Sequence, residues 1–232
     1  MIKIILWDID ATLLDFLKSE NMALKKTFAH FGLGECTDST VAEYSAINQS
    51  YWNRLETGEL TKEQVLVGRF EEFLNVKGFC DVDANEFCEF YESSLPDCVE
   101  FIGNAEETIK ALSNSYCQYA VTNGAKNVQT KKLAVSGIDS IFNGAFISDD
   151  VGYAKPSKEF FNFVLQNIPK VSYDEILIVG DSLTSDIKGG NNMGFKTCWF
   201  NPHNLPLSNG YSVDYQIDNI DSIFDVLKQE NS

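Results

Sequence analysis

The chain alternates short apolar runs with helical patterns, and this alternation leaves few folds open to it. The first run, Ile2–Trp7, is rich in isoleucine and ends in acidic residues, which is typical of a buried strand. Comparable runs follow at Tyr116–Val121, Gly144–Ile147, Glu175–Val179 and Lys196–Phe200. Helical patterns lie between the runs: one starts at Asn104, in capping-box spacing with Glu107, and others cover Asn127–Val135, Ser157–Asn167 and Ser185–Met193. This succession predicts an α/β fold with a Rossmann-like parallel sheet that helices cover on both faces.

Residues 15–96 depart from the alternation because they contain helical patterns and no convincing strand pattern. The four patterns are Phe16–Phe31, two that begin in the capping boxes Thr40-x-x-Glu43 and Thr61-x-x-Gln64, and Ala84–Leu95. Pro96 marks the expected exit from the helices. The sequence thus predicts an all-helical domain over residues 15–96, inserted into a core of residues 1–14 and 97–232.

The charge balance excludes several classes of partner. The chain has 34 acidic and 18 basic residues and a formal net charge of −16, so its field repels nucleic-acid polymers and anionic membrane surfaces. No apolar run approaches the roughly 18 residues of a transmembrane helix, and Asp8 and Asp10 fall where a signal peptide needs its apolar core. We therefore expect a cytoplasmic protein, with monomer and homodimer both left open. Six cysteines without C-x-x-C spacing and only two histidines argue against a zinc site.

Polar side chains follow four of the predicted strands, at the point where each strand ends. They are Asp8 and Asp10 after the first, Thr122-Asn123-Gly124 after the second, Lys155 after the third, and Asp181 with Asp186 after the fourth. Each motif alone has an ordinary alternative, such as a solvated acidic turn, a helix cap or an exposed lysine. Because the carboxyl ends of parallel strands meet at one edge of a sheet, we expect these side chains to converge there.

Four converging carboxylates require a cation. Even at an effective dielectric constant of about 20, two like charges about 4 Å apart cost about 4 kcal/mol. A hard divalent ion with oxygen ligands removes this repulsion, and Mg²⁺, which keeps several water ligands, fits best. Together with Lys155 and Thr122, the carboxylates therefore predict metal-assisted phosphoryl chemistry on a small phosphorylated metabolite.

The four motifs, in this order, resemble those of the haloacid dehalogenase (HAD) superfamily of phosphohydrolases. Asp8-x-Asp10-x-Thr12 resembles the first motif, Thr122-Asn123-Gly124 the second, Lys155-Pro156 the third, and Gly180-Asp181 with Asp186 the fourth. The inserted helices match the position of that family's helical cap. The resemblance therefore covers the whole chain.

The resemblance implies a role for each motif residue. Asp8 is expected to be the nucleophile that forms an aspartyl-phosphate, and Asp10 the general acid and then the general base. Asp8, the backbone carbonyl of Asp10 and Asp181 are expected to bind Mg²⁺, with Asp186 orienting them. The residues expected to bind the phosphoryl oxygens are Thr122, Asn123 and Lys155.

Position 11 departs from the family pattern, which most often has glycine there. Alanine carries a β-carbon and disfavours a positive φ. Because the other motif positions are intact, we expect a negative φ at Ala11, with its backbone N–H still facing the phosphate.

The cap sequence resembles bacterial 5′-nucleotidases that act on pyrimidine and noncanonical nucleoside monophosphates. The resemblance rests on Tyr51-Trp52-x-x-Leu55-Glu56-x-Gly58-Glu59 and on Arg69-Phe70. The same stretch resembles N-acylneuraminate-9-phosphatases, so a sugar-phosphate substrate is the alternative. The candidate substrate contacts in the cap are Phe16, Trp52, Arg54 and Arg69. Aromatic residues such as Phe16 and Trp52 more often belong to a domain core, and that interpretation is favoured for both.

Other activities of the superfamily fit less well. A dehalogenase needs neither a general acid nor a metal, whereas this chain keeps Asp10 and Asp181. A phosphonatase needs a cap lysine that forms a Schiff base, and the context singles out none of Lys18, Lys25 and Lys26. A non-enzymatic protein of this fold would be expected to have lost a motif residue. A mutase, which would transfer the phosphoryl group to a second sugar hydroxyl rather than to water, stays open.

Overall fold

The computed structural model describes residues 1–231, and over this range the core is a six-stranded parallel sheet. The strands are β1 (Ile4–Trp7), β2 (Cys117–Thr122), β3 (Gly144–Ile147), β4 (Ile176–Gly180), β5 (Lys196–Phe200) and β6 (Tyr215–Ile217). Their order is β3-β2-β1-β4-β5-β6, and every neighbouring pair is parallel. The carboxyl ends of β2 and β4 therefore flank that of β1. The predicted α/β fold is confirmed.

The helices follow the predicted distribution. The inserted segment contains α1 (Phe16–Phe31), α2 (Asp38–Glu56), α3 (Lys62–Lys77) and α4 (Ala84–Ser94). The α-helices that follow the inserted segment are α5 (Ala105–Leu112), α6 (Lys126–Ser136), α7 (Ile138–Ile141), α8 (Ser148–Val151), α9 (Lys158–Gln166), α10 (Lys188–Met193) and α11 (Ile223–Glu230). A π-helical turn, Leu183–Ile187, leads directly into α10. No helix among residues 1–231 is long and apolar enough to cross a membrane.

The centre of the sheet is apolar on both faces, as a parallel sheet covered by helices requires. Every residue of β1 and β4 is buried. On one face, Leu6, Val121 and Ile178 form a cluster with Phe160 and Phe161 of α9. Full burial of each such side chain contributes about 1.5–3 kcal/mol, so this packing holds the strand ends in register.

The chain forms two compact units. One comprises Met1–Asp15 together with the chain from Glu100 onward, and Phe16–Val99 forms the other. The helical unit has its own aromatic core, in which Phe70 stacks on Tyr44 with ring centroids 5.2 Å apart. Phe28, Phe73 and Phe87 extend this core, and all five rings are buried.

Helix starts were predicted with mixed success. The capping box of Thr61 with Gln64 is confirmed at the start of α3. The predicted box at Thr40 is wrong, because α2 begins at Asp38 and the Thr37 hydroxyl accepts the Thr40 backbone N–H. The predicted box at Asn104 is also wrong, since Asn104 precedes α5 without a side-chain capping bond. A serine or threonine hydroxyl can cap from several positions, so spacing alone does not choose among them.

The C-terminal part of the sheet contains elements that the sequence did not predict. β6 has three residues and only Ile217 is buried in it, so it carries no periodic signal. α11 follows β6 and buries Ile223, Val226 and Leu227. Residues 201–212 between β5 and β6 form a loop without helix or strand.

Candidate active site

The loop after β1 turns tightly and brings Asp8 and Thr12 together. The Thr12 hydroxyl lies 3.0 Å from Asp8 Oδ2 and 3.2 Å from Asp181 Oδ1, and it accepts the Asp181 backbone N–H at 3.1 Å. Ala11 has a φ of 65°, which corrects the expectation of a negative φ. The turn imposes this conformation, since the Ala11 N–H bonds to Leu14 O while the Leu13 and Leu14 N–H groups both bond to Ile9 O.

The Lys155 ammonium is the positive centre of the site. Its Nζ donates to Asp8 Oδ1 at 2.7 Å, to Asp186 Oδ1 at 2.6 Å and to the Val121 carbonyl at 2.8 Å. The side chain is buried. Burial lowers the pKa of Lys155, but the charges of Asp186 and Asp8 outweigh burial and hold that pKa above its usual value.

Three carboxylates surround this single ammonium. Asp8, Asp181 and Asp186 each offer an oxygen that lies within 4.8 Å of the others. Burial raises the pKa of Asp8 to about 7, with Lys155 opposing and Asp186 adding to the shift. Burial, followed by the charges of Asp8 and Asp186, also raises the pKa of Asp181. The cluster therefore lacks positive charge.

This donor set fits Mg²⁺. All three side chains offer carboxylate oxygens, the hard ligands that this ion prefers. One lysine cannot balance three carboxylates, and the charges of neighbouring carboxylates add to the burial that raises the pKa values of Asp8 and Asp181. Gly180 makes the cluster sterically feasible, because a Cβ on it would lie 2.2 Å from Asp186 Oδ2.

The segment after β2 links two of the predicted motifs. Asn123 Nδ2 donates to the Lys155 carbonyl at 2.9 Å, and Asn123 Oδ1 accepts the Lys155 backbone N–H at 2.8 Å. The Asn123 side chain therefore holds the Lys155 loop. The buried Thr122 hydroxyl accepts the Gly124 N–H at 3.1 Å, so its own hydrogen can be donated elsewhere.

The Asp10 carboxylate is not part of the cluster of Asp8, Asp181 and Asp186, and it has partners of its own. Its Oδ2 accepts from Gln129 Nε2 and its Oδ1 from Lys132 Nζ, both at 2.6 Å. Sequence reasoning missed Gln129 and Lys132, although their spacing of three residues places them on one face of α6. Nothing in the local sequence indicates that this face meets Asp10.

The candidate substrate contacts predicted in the cap all lie in the helical unit. Arg69 is buried, donates to Asn48 Oδ1 at 2.8 Å and pairs with Glu92 at 3.3 Å. Trp52 joins this network, since its Nε1 donates to Asn48 Oδ1 at 3.0 Å and Arg69 lies over its ring at 5.8 Å. Arg54 does not join them, as it is more exposed and pairs with Glu59. Phe16 is partly buried at the first position of α1.

The chain belongs to the haloacid dehalogenase-like hydrolase family, whose model matches residues 5–200. It is therefore an enzyme, and it falls in the phosphoric monoester hydrolase class of its named relatives.

Three relatives match over nearly their whole length. HAD-hydrolase YfnB of Bacillus subtilis is 36% identical over 98% of this chain and 96% of its own. A solved structure of YfnB bound to magnesium superposes with a TM-score of 0.92 at 35% identity, covering 97% of this chain and 98% of that one. Pyrimidine 5′-nucleotidase PynA of Streptococcus pneumoniae is 32% identical over 97% of this chain and 94% of its own. A glyceraldehyde 3-phosphate phosphatase of Pyrococcus furiosus is 26% identical over 99% of this chain and 95% of its own.

Proposed function

We propose that the protein is a Mg²⁺-dependent phosphomonoesterase that works through an aspartyl-phosphate, and that its substrates are nucleoside 5′-monophosphates. The observation that carries the proposal is the setting of Asp8. Its carboxylate is buried at the end of β1, held by Lys155 on one oxygen and Thr12 on the other, beside Asp181 and Asp186. A carboxylate fixed in this way is oriented for attack on an electrophile.

The reaction divides into two displacements at phosphorus. In the first, an Asp8 carboxylate oxygen bonds to phosphorus, the ester P–O bond breaks, and the leaving alcohol takes a proton from Asp10. In the second, Asp10 takes a proton from a water that attacks the same phosphorus. The Asp8–phosphorus bond then breaks, which regenerates the Asp8 carboxylate and releases inorganic phosphate.

The other residues bind and orient the phosphoryl group. The Thr122 hydroxyl and the Asn123 backbone N–H are the donors for its oxygens, and the Lys155 ammonium beside Asp8 supplies positive charge to them. Asp8, Asp181 and the Asp10 carbonyl would hold Mg²⁺, with Asp186 orienting them, and the ion would supply charge that offsets the developing negative charge. The magnesium in the solved structure of YfnB supports this assignment.

The helical unit is the proposed source of substrate specificity, because the strand-end residues supply only the nucleophile and the contacts to phosphate and metal. Trp52 offers an aromatic face on which a base could stack, which is typically worth about 1–3 kcal/mol. The similarity to PynA over nearly the whole chain favours a pyrimidine nucleotide. The similarity to a glyceraldehyde 3-phosphate phosphatase supports the second candidate, a sugar-phosphate phosphatase.

The test is phosphate release from a panel of phosphomonoesters. UMP and dTMP are compared with glyceraldehyde 3-phosphate and other sugar phosphates, each after chelation and after addition of Mg²⁺. We expect activity only with the metal, and a kcat/KM for the pyrimidine nucleotides about 5-fold to 150-fold above that for the sugar phosphates. A clear preference for a sugar phosphate would replace the nucleotidase assignment, and full activity after exhaustive chelation would contradict the metal-dependent mechanism.

A further inference from the structure

Both carboxylate oxygens of Asp10 are held by side chains of α6. Gln129 Nε2 donates to Oδ2 and Lys132 Nζ donates to Oδ1, each at 2.6 Å. Lys132 is fully buried and Gln129 is 1% exposed. A buried ammonium is tolerated only where a partner compensates for its lost hydration, and Asp10 is such a partner for Lys132.

Gly124, in the segment after β2, leaves the space that the Gln129 side chain occupies. A Cβ on Gly124 would lie 2.1 Å from Gln129 Nε2 and 2.7 Å from its amide carbon. Only a glycine at position 124 therefore leaves room for this amide to reach Asp10. The third residue of Thr122-Asn123-Gly124 thus serves Asp10, in addition to ending the motif that faces the phosphate.

The orientation of the Gln129 amide follows from its partner. When Asp10 acts as the base of the second step, both of its oxygens only accept hydrogen bonds, so the amide turns its NH₂ group toward Asp10. Its Oε1 is then buried, and no donor among residues 1–231 reaches it. A buried acceptor without a donor costs free energy, yet the Gln129 amide keeps its bond to Asp10 in this orientation. This indicates that the fold favours the Gln129–Asp10 contact over a partner for Oε1.

From this arrangement we infer that Gln129 and Lys132 are positioning residues for Asp10 in the proposed phosphatase reaction, on which the inference rests. A single donor would leave the carboxylate free to turn about its broad terminal torsion. Two donors on separate oxygens fix its plane and direction, so that Asp10 meets first the leaving oxygen and then the attacking water. A displacement of about 1 Å at such a group can cost about 100-fold in rate.

The test compares two esters that differ in their need for a general acid. UMP expels a poor alkoxide leaving group and needs a proton from Asp10, whereas p-nitrophenyl phosphate expels a phenolate that leaves unprotonated. The variants are Lys132→Met and Gln129→Met. The matched control is Lys131→Met, which removes the same charge from the exposed neighbour on α6.

We expect kcat/KM for UMP to fall about 100-fold or more in both variants, and kcat/KM for p-nitrophenyl phosphate to stay at the level of Lys131→Met. Rapid quenching of the p-nitrophenyl phosphate reaction should also trap a larger phosphorylated fraction of the variants, because the second step needs the same carboxylate as a base. Gln129→Met changes no charge, so it carries the test if Lys132→Met does not fold.

Equal losses on both esters, or losses on neither beyond those of Lys131→Met, would overturn the positioning role. Failure of the wild-type enzyme to release phosphate from either ester in the presence of Mg²⁺ would instead overturn the proposed function itself. A wild-type enzyme that cleaves p-nitrophenyl phosphate but not UMP is tested in the same way with the sugar phosphate that it hydrolyses best.

Discussion

The Asp8 carboxylate has one oxygen against the Lys155 ammonium at 2.7 Å and the other against the Thr12 hydroxyl at 3.0 Å. Asparagine at this position would keep the shape and lose the attacking charge. We expect Asp8→Asn to lower turnover by several orders of magnitude, measured as Mg²⁺-dependent phosphate release. Asp225→Asn, on an exposed turn of α11, serves as the control and should keep wild-type turnover. Near-normal turnover by an Asp8→Asn protein shown by mass spectrometry to be free of deamidation would refute the nucleophile assignment.

Ala11 shows how a backbone angle can contradict a residue preference. Its φ of 65° lies in the left-handed region, which costs about 1–2 kcal/mol for a residue with a β-carbon. Glycine removes that strain, but it also gives the unfolded chain more conformational freedom, which lowers the free energy of unfolding by about 0.4–1 kcal/mol. We therefore expect Ala11→Gly to raise the free energy of unfolding by about 0.5–1 kcal/mol in chemical denaturation.

The control for this substitution has the opposite expected sign. Ala134 is exposed within α6, where φ is negative, and glycine there should lower the free energy of unfolding by up to about 1 kcal/mol. Destabilisation of similar size at both positions would show that the turn at Ala11 carries no strain.

Among the elements, α3 begins with the capping box that the sequence predicted. Thr61 accepts the Gln64 backbone N–H, and the Gln64 side chain accepts the Thr61 N–H at 2.9 Å. Thr61→Ala removes the capping hydroxyl from an exposed site, and we expect it to lower the free energy of unfolding of the helical unit by about 1 kcal/mol. The measurement is thermal or urea unfolding followed by circular dichroism.

Ser50→Ala, at an exposed position inside α2, is the matched control within the same unit. It removes a hydroxyl without removing a cap, so a small gain in stability is expected from helix propensity. A loss at Ser50 as large as that at Thr61 would mean that the capping box does not stabilise α3.

For the whole molecule, the acidic cluster links stability to pH and to metal. Burial raises the pKa of Asp8 from 3.8 to about 7, and the pKa of Asp181 is also raised. In the metal-free protein the folded state then binds protons more tightly than the unfolded state across this interval. The contribution of this cluster to the free energy of unfolding should therefore fall as pH rises from 3.8 to about 7.

Magnesium should cancel this loss, because it binds the ionised carboxylates of the folded state. Thermal unfolding of the protein with chelator and with Mg²⁺, compared at each pH, isolates the cluster from other titrating groups. We expect the difference in Tm to widen as pH rises through the interval. A difference that stays constant with pH would contradict the assignment of this cluster as the metal site.

Local pattern was enough to predict the α/β fold, most strand positions and the strand-end motifs. Apolar runs mark buried strands wherever they occur, and a parallel sheet brings the carboxyl ends of its strands to one edge. Chain order alone therefore predicted that Asp8, Lys155 and Asp181 would meet, and the structure brings them together. The short strand β6 was not predicted, because three residues, only one of them buried, are too few to show a periodic pattern.

The remaining features depend on contacts between residues that are far apart in the chain. Gln129 and Lys132 lie 119 and 122 positions from Asp10, and no local pattern links a helix face to a carboxylate at that separation. The positive φ of Ala11 arises from hydrogen bonds that close the turn after β1, which outweigh the preference of alanine. Periodicity and motif spacing are properties of the chain, so they can be read from it. The partner of a buried charge and the angle of a strained turn are set by packing, so they emerge only once the chain has folded.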